Sequence, residues 1–168
     1  MPGQVIVIDT SMLCVWLAIP GKDTCGESDD IWDYPRVRQH IEEAIKDRRT
    51  TLVFPLASIL ETGNFISQLP SSRFELAQKL AEIIHSAADE KSPWAAFTDQ
   101  SSLWEAEALK KLATGWPELA KQKLSIGDAT IKEVAQYYAK AGFEVEIMTG
   151  GKGLKAYQPA PPLRRWRL

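Results

Sequence analysis

The sequence predicts an α/β layer fold built on a mostly parallel sheet, and two observations predict it. Short apolar runs alternate with stretches of helical periodicity along the whole chain. The first of those runs, Val5 to Ile8, is continuous and β-branched, which marks a strand covered on both faces, as in parallel sheets.

The 168 residues suit one domain. A chain of this size buries about 70% of its unfolded surface, so its core needs no metal or disulfide. Residues 1–157 read as that domain. Residues 158–168, "QPAPPLRRWRL", read as an extended tail, proline-rich and then basic. Apolar residues make up 45% and charged residues 25%, with a net charge of −2. That balance gives no footprint for strong, sequence-independent binding of nucleic acid, although a local patch can differ from the total. Cys14 and Cys25 form no CxxC pair and stand in no His/Cys cluster, which argues against zinc and fits a reducing cytoplasm. No signal peptide is expected, because Asp9 interrupts the first apolar run and no basic lead precedes it. No apolar run reaches the roughly 18 residues of a membrane helix, so no membrane partner is expected.

Each element follows in order. A short helix is expected over 11–17 and a loop over 18–30, where Gly, Asp and Ser dominate. Pro35, the stripe Val37, Ile41, Ala44 and Ile45, and the basic end at Lys46, Arg48 and Arg49 give a helix over 35–48. "TLVFP" (51–55) is a second buried strand stopped by Pro55, and a helix follows over 57–68. Phe74, Leu76, Ala77, Leu80, Ile83 and Ile84 recur at helical spacing in a long amphipathic helix. "WAAFT" (94–98) is a candidate third strand. Residues 101–122 read as helix broken near Gly115 and Pro117. A last long helix carries Ile131, Val134, Ala135 and Tyr138 on one stripe and is capped by Gly142. "EVEIMT" (144–149) is the fourth strand.

Three acids stand out. Asp9 follows the first strand, where a carboxylate is costly to desolvate. Glu61 lies in the first turns of the helix after the second strand. Asp128 lies in the first turn of the helix leading to the fourth. Residues at the carboxyl ends of parallel strands and at the starts of following helices gather at one edge, which places Asp9 and Glu61 together but not Asp128. Helix capping is the alternative. Ser58-x-x-Glu61 and Ser125-x-x-Asp128 both read as capping boxes, and Thr10 and Ser11 are candidate caps. Capping explains Asp9 least well.

Three segments, "VIDTS", "FPLASILETGNFI" and "LSIGDATIKEVAQYYAKAGFEVEIMT", resemble those of PIN-domain nucleases, in the same order and at similar separations. The resemblance covers most of the chain. It implies a PIN-like three-layer α/β/α sandwich with strand order 3-2-1-4, and it brings Asp128 to the edge that holds Asp9 and Glu61. It further implies that Asp9, Glu61 and Asp128 are catalytic residues and ligands of Mg²⁺ or Mn²⁺, and that the chain hydrolyses RNA phosphodiester bonds as a toxin or defence-type effector. Hard carboxylate oxygens suit such ions. Without metal, two carboxylates about 4 Å apart repel by roughly 4 kcal/mol at an effective dielectric of 20. Ser11 and Thr149 would orient a carboxylate or a water. RNA is the implied substrate; an antitoxin, a complex subunit or a second copy of this chain is the implied protein partner.

One departure matters. The family usually carries a fourth acid two residues after the threonine that ends the fourth strand. Gly151 stands there, with Lys152 and Lys155 nearby. "TGGKGLKAY" reads either as a close-approach loop whose two lysines face a phosphate, or as a solvated turn. A PIN-like binding or scaffolding subunit without cleavage is therefore the alternative function. His40 and His85 read as surface or edge histidines. Asp23, Asp29 and Asp30 read as a solvated loop from which one could serve as a ligand. Trp94, Trp104, Trp116 and Trp166 are candidates to stack bases or to pack a core or partner. Arg164, Arg165 and Arg167 are candidate phosphate contacts.

Overall fold

β1 (Gln4–Ile8) runs through the centre of the molecule, as its unbroken apolar sequence demands. The computed structural model describes residues 3–89, 91, 93–95 and 97–162, with backbone alone over 97–100. β1 pairs in parallel with β4 (Thr50–Val53) on one side and with β6 (Glu144–Met148) on the other. β5 (Trp94–Ala95) adds to β4, giving a four-stranded, all-parallel sheet in the order β5-β4-β1-β6. Counted within this sheet, the order is third, second, first, fourth.

Alternate residues of β1 point to opposite faces. Ile6 and Ile8 pack on one face with Leu52, Phe54 and Met148, beneath α1 (Thr10–Trp16), α2 (Tyr34–Lys46), α3 (Leu56–Ser67) and α4 (Arg73–Ala88). Val5 and Val7 pack on the other face with Val53, Val145 and Ile147, beneath α6 (Ile126–Lys140). Helices on both faces make three layers. Each buried Val or Ile contributes about 1.5–3 kcal/mol, so the four residues before Asp9 supply about 6–12 kcal/mol gross. That exceeds the effective cost of several kcal/mol for holding one carboxylate out of water.

The connections set the position of the site. From β1 to β4 and from β4 to β5 the chain crosses over the first face. From β5 it runs through a 3₁₀ helix (Phe97–Trp104), α5 (Ala106–Lys121) and α6 on the second face, and places β6 beyond β1. Strand order therefore reverses between β1 and β6. In open parallel sheets the ligand crevice lies outside the carboxyl ends at such a point.

Several expectations need correction. The helix expected to break near Gly115 and Pro117 does not break; α5 runs through both. No α5 residue is buried, so water can serve the carbonyl that Pro117 leaves without a donor. The strand expected over 94–98 is Trp94–Ala95, and Phe97 already begins the 3₁₀ helix. The loop 18–30 contains β2 (Thr24–Cys25), paired antiparallel with β3 (Trp32–Asp33). Phe74 and Ile45, assigned to apolar stripes, are exposed. The segment after β6 forms a single helical turn, α7 (Lys152–Lys155). Trp166 and the basic residues 164–167 lie outside the described residues. Gln158, the first residue assigned to the tail, is bonded to the edge of the sheet: its Oε1 accepts from Ile147 N at 2.7 Å and its Nε2 donates to Val145 O. That blunts the open edge of β6. Among the described residues no helix is long and apolar enough to cross a membrane.

Candidate active site

Asp9 is the first residue beyond β1 and sits at the reversal point. Its backbone N–H donates to Met148 O at 3.0 Å, extending the β1–β6 ladder by one bond. Its side chain is the N-cap of α1, with Oδ1 accepting from Thr10 N at 2.7 Å. Capping therefore does explain part of Asp9, contrary to expectation, because the strand ends at Ile8 and the acid occupies the turn into α1. Thr10 and Ser11 are not the cap.

The second oxygen, Oδ2, accepts from Thr149 Oγ1 at 2.6 Å and from Ser11 Oγ at 3.1 Å. Both hydroxyls are themselves fixed by backbone: Gly150 N donates to Ser11 Oγ and Gly151 N to Thr149 Oγ1. Asp9 is thus clamped from α1 by Ser11 and from the exit of β6 by Thr149. Burial pushes the Asp9 carboxyl above the usual carboxylate range, the bonds from Thr149 and Thr10 pull it back, and the negative charge of Asp128 pushes it up again.

Glu61 projects from the second turn of α3. Its Oε2 accepts from Thr10 Oγ1 at 2.8 Å. The capping-box reading of Ser58 and Glu61 fails. Pro55 is the N-cap of α3, and buried Ser58 instead donates to Ile8 O at 2.8 Å, tying the start of α3 to the end of β1. The capping reading of Asp128 holds. Ser125 Oγ accepts from Asp128 N, and Asp128 Oδ2 accepts from Ser125 N, both at 3.0 Å. Asp128 nevertheless lies close enough to Asp9 for their charges to interact. Thr10 follows Asp9 and touches Glu61; Gly127 precedes Asp128 and abuts Glu61. Glu61 is therefore in contact with the sequence neighbours of both Asp9 and Asp128.

As donors, three carboxylates suit a hard divalent cation. Asp9 Oδ1 and the oxygens Glu61 Oε1 and Asp128 Oδ1 keep acceptor capacity beyond the bonds described. In this conformation no three acid, imidazole or thiol groups among the described residues converge on one ion position. The bonds to Thr10 and Ser125 hold Glu61 and Asp128 in their present orientations.

The lysines diverge from expectation in part. Lys155 Nζ pairs with Asp30 Oδ2 at 2.7 Å, and Asp30 Oδ1 pairs with Arg36 at 2.8 Å. These hydrogen bonds, Lys155 first, lower the Asp30 carboxyl to about 2. Asp30 is thus engaged by two cations, and Lys155 anchors α7 to the loop that bears it. Lys152 opens α7 beside Gly151. Trp94 packs inside, stacked on Phe54 with centroids 4.7 Å apart, and half-buried Trp116 donates through Nε1 to Leu124 O. Trp104 is exposed. His40 is an edge histidine paired with Glu146, and His85 is exposed in the last turn of α4.

Sequence reasoning missed Thr10 and Gly127, and for Gly150 it left close backbone approach as one of two readings. Thr10 bridges Asp9 and Glu61, whereas its place beside a strand end suggested only a cap. Gly150 must be glycine: a Cβ there would lie 2.6 Å from Gly26 N and 2.9 Å from Cys25 Sγ, so the β2–β3 hairpin packs directly on the exit of β6. Gly127 abuts Glu61 in a different way, since a Cβ there would meet the end of the Glu61 side chain and not backbone. No protein-family model, curated protein or solved structure matches the chain.

Proposed function

We propose that the crevice between β1 and β6 is a divalent-metal site, for Mg²⁺ or Mn²⁺, in a PIN-like ribonuclease. The observation that carries this reading is the bracketing of Glu61 between Thr10 and Gly127, the sequence neighbours of Asp9 and Asp128. Support also comes from the sheet, whose order of third, second, first and fourth strand is the one the PIN resemblance implies.

In this reading Asp9, Glu61 and Asp128 hold the ion. Once bound, it would activate a water and stabilise charge on the phosphate. Thr149 and Ser11 fix the Asp9 carboxylate in one orientation. Thr10 holds Glu61 near it. Lys152 faces the phosphate backbone of RNA, and Lys155 steadies α7 through Asp30.

The test is cleavage of single-stranded RNA with Mn²⁺ present. Products with 5′-phosphate and 3′-hydroxyl ends are expected, and Asp9→Asn, Glu61→Gln and Asp128→Asn should each cut the rate by about a hundredfold or more. Cleavage that survives in Asp9→Asn contradicts the reading.

A second reading, a PIN-like binding subunit without cleavage, is favoured by two specific observations. Asp128 is engaged in a reciprocal cap, and Gly151 stands where a fourth acid is usual. Metal binding without RNA cleavage would select it.

A further inference from the structure

We infer that Gly127 is a positioning residue that seats the Glu61 carboxyl between Asp9 and Asp128. Its metal readout rests on the proposed function; its hydrogen-bond readout does not.

A Cβ placed on Gly127 would lie 2.3 Å from Glu61 Oε1 and 3.4 Å from the Glu61 carboxyl carbon. The Glu61 carboxyl therefore occupies the space of an alanine methyl. Backbone conformation does not require glycine here, since Gly127 is not among the positive-φ glycines and lies in the first turn of α6. Alanine is the better helix former. What glycine provides at this buried position is room. α3 and α6 are in contact, and Glu61 Oε1 fills the gap while Oε2 accepts from Thr10 at 2.8 Å. An alanine would meet the free end of a flexible side chain, not backbone. Glu61 would turn out of the crevice, Thr10 would lose its acceptor, and the helices would stay in place.

The experiment is a double-mutant cycle on the metal-free protein, read as urea midpoints, with Thr10→Val made in the wild type and in Gly127→Ala. Thr10→Val should lower the midpoint in the wild type and leave it nearly unchanged in Gly127→Ala, where the bond is already broken. Equal effects in the two backgrounds would overturn the inference. Should Gly127→Ala fold poorly, Glu61→Ala/Gly127→Ala decides: with Glu61 shortened the methyl has its space, and the midpoint should recover to that of Glu61→Ala or above. No recovery would count against the inference. Separately, the rise in melting temperature on adding Mn²⁺ should vanish in Gly127→Ala and persist in Gly115→Ala, a helix glycine whose Cβ would meet nothing within 4 Å. An unchanged shift in Gly127→Ala contradicts the inference. A wild type without any shift contradicts the metal reading instead, and the urea cycle still decides the role of Gly127.

Discussion

Thr149 donates a 2.6 Å hydrogen bond to Asp9 Oδ2 across 140 positions of sequence, and so joins the ends of the two strands between which the sheet order reverses. Thr149 and Asp9 are both buried, so this bond is weakly screened. Thr149→Val keeps the shape and removes the donor. It should cost about 1.5–3 kcal/mol near pH 7, the range for a hydrogen bond to a charged group. Because burial raises the folded-state pKa of Asp9, the folded protein keeps this proton where the unfolded chain has lost it. The contribution of Asp9 to stability is fully present below the ordinary carboxylate value of about 4 and is lost as pH rises through the raised folded value. Removing the Thr149 bond raises that value further and widens the window of loss. Urea denaturation near pH 7 and near pH 4 checks this: the penalty should be larger at the higher pH.

His40 Nε2 and Glu146 Oε2 stand 2.9 Å apart, joining α2 to the edge strand. The Glu146 bond raises the His40 pKa against the opposing effect of burial, Glu43 adds to the rise and Arg36 opposes it. The stabilisation should be fully present below the ordinary histidine value of about 6.5 and be lost as pH rises through the folded value. Glu146→Gln should flatten the dependence of melting temperature on pH over that window. An unchanged slope would contradict the pairing.

Legibility from sequence follows physical range. Val5–Ile8 and the stripe Ile131, Val134, Ala135 and Tyr138 could be read because burial imposes a local period, and all of these residues are buried. Pro117 misled because its helix-breaking cost depends on whether the freed carbonyl is buried, which only the tertiary structure decides. Phe74 stands two positions before Leu76, about 200° around the helix, so it faces away from the buried pair Leu76 and Leu80. At the site, Asp9 stood out from its place after a strand, while Ser11 and Thr149 entered only through the resemblance to PIN-domain nucleases. The ties of Thr10 and Gly127 were not legible. Each depends on a contact between segments distant in sequence, and a glycine carries no side chain to announce one.

Gly151 offers a gain-of-function test. It has φ −82° and caps α7, and a Cβ there would approach nothing closer than Thr149 Oγ1 at 3.4 Å. A side chain is sterically acceptable, and an acid at a helix N-terminus is electrostatically favoured. Gly151→Asp should therefore fold and increase the Mn²⁺-dependent rise in melting temperature. A smaller rise than in the wild type would argue that the carboxyl edge does not face the ion at this position.

Gln158 should protect the edge of the sheet. Its Oε1 accepts the Ile147 amide at 2.7 Å. In Gln158→Ala the Ile147 amide should exchange with solvent several-fold faster, the factor for a net bond of about 1 kcal/mol. Amide exchange followed by NMR checks this, with the Ile6 amide in the central strand as the unchanged reference.

The most direct measurement is the melting temperature of the wild type and of Asp9→Asn with and without Mn²⁺. With free Mn²⁺ about a hundredfold above its dissociation constant, the wild type should gain about 5–10 °C. Asp9→Asn should show no gain. A flat response in the wild type, or an equal gain in Asp9→Asn, would contradict a metal site built on Asp9, Glu61 and Asp128.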